Sequence, residues 1–394
     1  MIKLIRDEFW FNVCSRCEEI ALYMLGQQRA LFPYFALHDH VHCRNVLMKV
    51  EELLSVSPLD QVSYAVLRCA TALHDIGMAL TPLRINKLKI EADYLYKGAE
   101  KKFLKELQGY REFFTGKRHD LSEVSGVVLI PEDKVLQLGG RVADFIRLIH
   151  PWTGAKFVRD CLSDYLQDLF YGPRRDYLEP FVGAVSEVIR MHNTKSKLQE
   201  LVYETGGFKI NTGFLAALLS IGDSLDFSRE RAKIIFDELG EALMRTDPSQ
   251  LKHWIFKMGV KDVHFENKSI VVRVKDRQEL IFGVLFFELA ENVIGNFQRA
   301  GQLFPQLKFN FLVDSGRGKV GITDNLNELI NINNCIKEIQ PTDVNIKDII
   351  QRGANIFDEI AIRIFRGEPV SELVKKAVNN CPSAGKVLAK FSPL

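Results

Sequence analysis

The stretch ATALHDIGMAL (70–80) sets His74 and Asp75 side by side in a run that otherwise reads as the apolar face of a buried helix. Burying two titratable groups costs several kcal/mol unless they are paired, hydrogen-bonded or coordinated to a metal. The doublet is therefore a satisfied structural pair or a reactive centre. Around it, apolar residues recur at three- and four-residue spacing in VLMKVEELL (46–54), YAVLRCATALHDI (64–76), VADFIRLI (142–149), FVGAVSEVIRMH (181–192) and FLAALLSIGDSLDF (214–227), the spacing that puts one stripe on a helix face. Turn signals separate them, GPRRD (172–176) and ETGGFKINTG (204–213) among them, and no strand pattern intrudes.

The pattern changes after HWIFKMG (253–259). VKDVHFENKSIVVRVKD (260–276) alternates apolar and polar residues on both sides of Asn267 and Lys268, which predicts a β-hairpin. A long helix over 277–301, a strand within LKFNFLVDSG (307–316) and further helices, one of them in NIKDIIQRGANIFDEIAIRIF (345–365), follow. The expected fold class is thus mainly α, an all-helical core over 1–250 followed by a smaller α+β domain over 251–394 with an oligomerisation or regulatory role.

Composition sets the outer limits. A chain of 394 residues is long enough for two domains, since single cores stop growing at roughly 250–300 residues. With 47% hydrophobic and 26% charged residues it reads as an ordinary globular protein. No apolar run is read as long enough to cross a bilayer, and the charges in MIKLIRDEFWFNVCSRCEEI come too early for a secretory core, so a cytoplasmic location is expected. Seven cysteines scattered through apolar segments fit reduced core thiols, the Cys14–Cys17 pair included, better than disulfides. A net charge of +2 argues neither for nor against nucleic acid.

The residues suited to chemistry lie at helix ends in the first region. His42 stands just ahead of an amphipathic helix, His74 and Asp75 end the next, His119 opens HDLSEV, His192 ends EVIRMH and Asp223 lies in LLSIGDSLD. Imidazole and carboxylate together suit a divalent ion, Mn, Mg, Fe, Co, Ni or Zn, and a carboxylate can bridge two. Helix ends converging on one point can deliver such ligands from far apart in the chain. His38 and His40 crowd His42 in HDHVH, either as a ligand's partner or as surface; His150, His253 and His264 fall outside the pattern and receive no chemistry.

His42, the doublet inside ALHDIG (72–77) and Asp223 inside SIGDSLD (220–226) resemble the H…HD…D signature of the HD superfamily of metal-dependent phosphohydrolases, over about residues 30–230. The resemblance implies a first ion held by His42, His74, Asp75 and Asp223, with His119 and His192 completing a second site that Asp75 bridges. RHDLS (118–122) is also similar to the stretch that supplies a catalytic histidine in deoxynucleotide triphosphohydrolases, which makes His119 either a metal ligand or a general acid. Arg118 and Lys117 would then neutralise phosphate charge, with Arg44 and Lys195 as further substrate contacts and Arg174, Arg175 and Lys197 within reach from loops.

The family's frequent lysine after HDIG is Met78 here, and no GYP follows. The overall layout resembles HD-related domains of bacterial conflict and antiphage loci. The leading expectation is a nucleotide phosphohydrolase of the dNTP triphosphohydrolase type using one or two divalent ions, in a homo-oligomer or with a partner protein from the same locus. The competing expectations are a cyclic-nucleotide or oligonucleotide phosphodiesterase, a single-strand nuclease, and a non-catalytic nucleotide-sensing module.

Overall fold

The computed structural model describes residues 7–26, 38–54, 58–79, 105, 140–193, 196–205, 207–227, 248–322, 326–350 and 353–391, with isolated positions between 228 and 247. They fall into two compact units, Met1–Pro33 with Leu37–Asp223, and Tyr34–Ala36 with Ser224–Leu394.

The first unit is built on helices α1 (Glu8–Leu25), α2 (His40–Leu54), α3 (Gln61–Leu73), α4 (Gly140–Leu166), α5 (Leu178–Met191) and α6 (Thr212–Ser224). α3 lies at its centre, packed by α1, α2 and α5. Asp60 caps α3, its carboxylate accepting from the backbone N–H of Val62 and Ser63, each at 2.9 Å, which satisfies two donors that a helix start leaves unpaired. Val62, Ala65, Val66, Leu67, Cys69, Ala70 and Leu73 are fully buried, and each buried Val or Leu contributes about 1.5–3 kcal/mol. Cys14 and Cys17 of α1 are buried too, and Cys69 Sγ lies 3.8 Å from Cys14 Sγ; these are reduced core thiols.

Two short strands, β1 (Val202–Thr205) and β2 (Phe208–Asn211), pair antiparallel between α5 and α6. This corrects the expectation of an all-helical first region with only a turn at 204–213. Four residues per strand carry too little alternation to register between helices, and the feature read as a loop is the hairpin's own turn, where Gly207 takes φ +83°.

The second unit holds α7 (Pro248–Met258) and a four-stranded mixed sheet of order β3-β4-β5-β6, from Val260–Glu266, Ser269–Val274, Asn310–Asp314 and Lys319–Gly321. β3 and β4 form the expected hairpin, with Asn267 and Lys268 both at positive φ, 45° and 61°, the two-residue turn whose twist matches its strands. β5 runs parallel to β4, joined through α8 (Gln278–Leu303), whose middle, Gly283–Val293, is π-helical. α8 is long and apolar enough to cross a membrane by length and composition, contrary to the expectation that no segment is. Its apolar window is 83% buried inside the protein, as in a core helix. The rings of Phe256, Phe282, Phe287 and Phe357 pack together there at centroid distances of 5.3–6.3 Å. Helices α9 (Leu326–Lys337), α10 (Val344–Ile350), α11 (Ile356–Phe365), α12 (Ser371–Asn380) and α13 (Pro382–Leu388) follow among the described residues. The protein is mainly α with a small α+β region toward its C-terminus, as the sequence predicts.

Candidate metal centre

α3 stops at Leu73, and His74 caps it while Asp75 opens a short 3-10 turn over Ile76–Met78. α4 crosses this turn closely at Gly77. A Cβ there would lie 2.1 Å from the carbonyl oxygen of His150 and 2.5 Å from Thr153 Oγ1, distances no side chain can occupy. Thr153 Oγ1 donates to the Gly77 carbonyl at 3.3 Å. The glycine of HDIG is thus what lets α4 bring His150 against the doublet.

A second glycine does the same for Asp223. A Cβ at Gly222 would meet Val50 Cγ2 at 2.6 Å, so α6 packs tightly on α2 and Asp223 Oδ1 comes within 3.2 Å of His42 Nε2. The Ser220 hydroxyl donates to the His192 carbonyl, which ties the end of α5 to α6 as well.

Five imidazoles and two carboxylates converge. Asp75 Oδ2 lies 3.1 Å from His74 Nε2, 3.3 Å from His42 Nε2 and 2.8 Å from His38 Nδ1. His42 Nε2 and His74 Nε2 are 3.2 Å apart, and His74 Nε2 is 3.8 Å from Asp223 Oδ1. The other oxygen of Asp75, Oδ1, lies 3.4 Å from His150 Nε2, which is 3.1 Å from His192 Nε2. One carboxylate therefore faces two groups of imidazoles, one with each oxygen. His42, His74, Asp75 and His192 are at most 2% exposed; His38, His150 and Asp223 form the partly open side at 20%, 12% and 29%.

Backbone carbonyls fix three of the rings. His74 Nδ1 donates to Thr71 O at 2.8 Å and His192 Nδ1 to Ile189 O at 2.6 Å, both carbonyls in the last turn of a helix, where intrahelical partners run out. His150 sits inside α4, and its partner has a different origin. Pro151 lacks the N–H that would bond to the carbonyl four residues back, and His150 Nδ1 takes that carbonyl, Arg147 O, at 2.6 Å. With Nδ1 engaged in this way, Nε2 of each ring is the atom turned into the cluster, where it can hold an ion once it gives up any proton.

Electrostatics lead to the same reading. Burial alone would push the His74 pKa down, but the charge of Asp75 beside it holds it well above the usual 6.5. Burial would likewise raise Asp75 and Asp223, yet the histidines around them hold both carboxyls well below the usual carboxylate range. Burial and the charge on His74 push His192 down to about 4, so it stays neutral at pH 7. In the metal-free protein His74 therefore shares a proton with Asp75 while His192 presents a bare Nε2, and a divalent cation would take the place of that proton.

These residues fit divalent ions. Ligands about 2.1 Å from a metal stand about 3.0–3.4 Å apart on an octahedral or tetrahedral edge, close to the 3.1–3.8 Å separations between His42, His74 and Asp223 and along Asp75, His150 and His192. Three sets could each hold an ion: His42, His74 and Asp223; His38, His42 and Asp75; and Asp75, His150 and His192.

Of the residues singled out in the sequence, His42, His74, Asp75, His192 and Asp223 come together here. His119, Arg118, Lys117 and Lys195 lie outside the described residues. Arg44 is exposed on α2, and two residues along a helix carry it about 200° around from His42. Arg174 stacks over the Phe9 ring at 4.2 Å and lies 3.8 Å from Asp7, a surface arrangement. His150, given no chemistry from sequence, is in the cluster. Its signal was the His-Pro step inside a helical pattern, which frees a carbonyl for the ring to use.

Comparison with the curated proteins and with the solved structures gives no match. The HD-CE family model matches residues 32–279, well over half of the chain and all the residues of the cluster; the chain belongs to the HD-CE family.

Proposed function

We infer that the protein is a metal-dependent phosphohydrolase acting on nucleotides, and that it hydrolyses dNTPs to deoxynucleoside and triphosphate. The observation that carries the hydrolase reading is the split of Asp75, which offers Oδ2 to His42 and His74 and Oδ1 to the His150–His192 pair. A divalent ion bound there would lower the pKa of a bound water and polarise a phosphoryl oxygen; His42, His74, Asp75 and Asp223 would hold one ion, and Asp75, His150 and His192 a second.

The chain's own groups supply the rest. His74 and His192 are locked by helix-end carbonyls, so the substrate meets a rigid arrangement on the open side formed by His38, His150 and Asp223. The dNTP preference rests on the likeness of RHDLS (118–122) to the triphosphohydrolase motif. In it His119 protonates the leaving deoxynucleoside oxygen, and Arg118 and Lys117 neutralise phosphate charge. The likeness of the overall layout to HD-related domains of bacterial conflict loci supports a role in antiphage defence, as a homo-oligomer or with a partner protein.

The test is to incubate the purified full chain with Mn, Mg, Co or Ni and with dNTPs, NTPs, cyclic nucleotides and short single-stranded oligonucleotides. Triphosphate release from dNTPs is expected. Cleavage of cyclic or oligonucleotide diesters alone would replace the triphosphohydrolase reading with a phosphodiesterase or nuclease, and metal-free nucleotide binding without turnover would favour a sensing module.

A further inference from the structure

Asp75 has only one torsion, about Cβ–Cγ, that decides which oxygen faces which imidazoles. Oδ2 lies 2.8 Å from Nδ1 of His38, nearer than the carboxylate lies to His42, His74 or His150; His38 stands four residues before His42 and just ahead of α2. An ionised carboxylate only accepts, so this contact requires the proton on His38 Nδ1, and hydrogen bonds to a charged acceptor are among the stronger ones.

We propose that His38, rather than serving as a ligand in the His38, His42 and Asp75 set, is a positioning residue of the metal centre: its Nδ1–H donates to Asp75 Oδ2 and holds the carboxylate in the orientation that presents Oδ1 to His150 and His192. This rests on the metal-centre reading above. Three observations support it. His42 and His74 approach the same oxygen at 3.3 and 3.1 Å, so Oδ2 is crowded on the His42–His74 side and His38 approaches it with a shorter contact. His38 is 20% exposed, so it braces the doublet from the partly open side. The ring packs edge-on against His42 at 5.1 Å between centroids, which sets its own orientation. Partners that orient metal-binding carboxylates and imidazoles typically contribute about 10- to 100-fold in metal affinity.

The experiment uses Mn²⁺ as the probe on the purified full chain, with stoichiometry and affinity measured by titration calorimetry and metal analysis after dialysis. His38→Ala removes the donor, whereas His38→Asn places an amide N–H where Nδ1 stood. The wild type is expected to bind two Mn²⁺. His38→Ala is expected to lose about 10- to 100-fold in Mn²⁺ affinity, chiefly at one of the two sites, and His38→Asn to recover most of it with unchanged circular dichroism. Equal binding by wild type and His38→Ala, or an Asn variant as weak as the Ala variant despite native folding, overturns the positioning role and leaves the metal centre standing. A wild type that binds no Mn²⁺ overturns both, and the two failures are therefore distinct.

Discussion

His150 Nε2 lies 3.1 Å from His192 Nε2 although each ring donates its Nδ1 proton to a carbonyl three residues back. Two neutral rings so arranged face lone pair to lone pair, an arrangement that a shared cation or proton relieves. The pair also meets Asp75 Oδ1 on the His150 side, which completes the second group of candidate ligands.

Removal of the shared carboxylate tests both groups at once. Asp75→Ala is expected to abolish tight binding of both ions and to lower hydrolysis by on the order of 10³-fold, the several kcal/mol that metal ions supply to such a transition state. Undiminished turnover in a natively folded variant would sink the site.

The two ligand groups are separable. His150→Ala is expected to leave the ion bound by His42, His74 and Asp223 and to remove the second, halving the metal content, whereas His42→Ala removes the first. Metal analysis reads the difference, and loss of both ions in each variant would show a single shared site instead.

Acid should destabilise the metal-free protein through His192. Unfolded, this ring takes up its proton near pH 6.5; folded, burial and the charge of His74 delay it to about pH 4. The unfolded state binds the proton first, so stability falls as pH drops from 6.5 to 4, by up to about 3 kcal/mol. Chemical denaturation of the EDTA-treated protein at several pH values should show this slope, and His192→Gln should flatten it.

The close crossing at Gly77 predicts a structural penalty that reaches the site. Gly77→Ala places a methyl 2.1 Å from the His150 carbonyl, and the forced shift is expected to cost about 2–3 kcal/mol, lowering Tm by roughly 5–10 °C and weakening metal binding. Gly321→Ala, where the new atom meets only Leu312 Cδ2 at 4.0 Å, should stay within about 0.5 kcal/mol. Comparable melting curves for the two variants would contradict the packing argument.

In the second unit, Lys268 holds φ 61° in the β3–β4 turn, a conformation that glycine adopts without strain. Lys268→Gly is expected to raise stability by up to about 1 kcal/mol with no change in metal content. A lower melting temperature would argue that the lysine side chain, not the backbone, dominates at that turn.

Periodicity alone determined the helices around the doublet, the hairpin at Asn267–Lys268 and the long helix before β5, because each has a full stripe or alternation and a defined turn. The doublet itself, His42 and Asp223 were legible because burying charged groups at the ends of apolar helices demands a partner. Only the tertiary structure decided the rest. The β1–β2 hairpin is too short to show a period, and α8 can be told from a membrane span only by what covers it. His150 joins Asp75 because α4 crosses Gly77 within van der Waals distance and Pro151 frees the carbonyl that orients the ring. His38 meets Asp75 through a contact spanning 37 residues. A linear sequence records which side chains can bind an ion; which nitrogen points at which oxygen is set by helix crossings and by carbonyls left unpaired, and those exist only once the chain has packed.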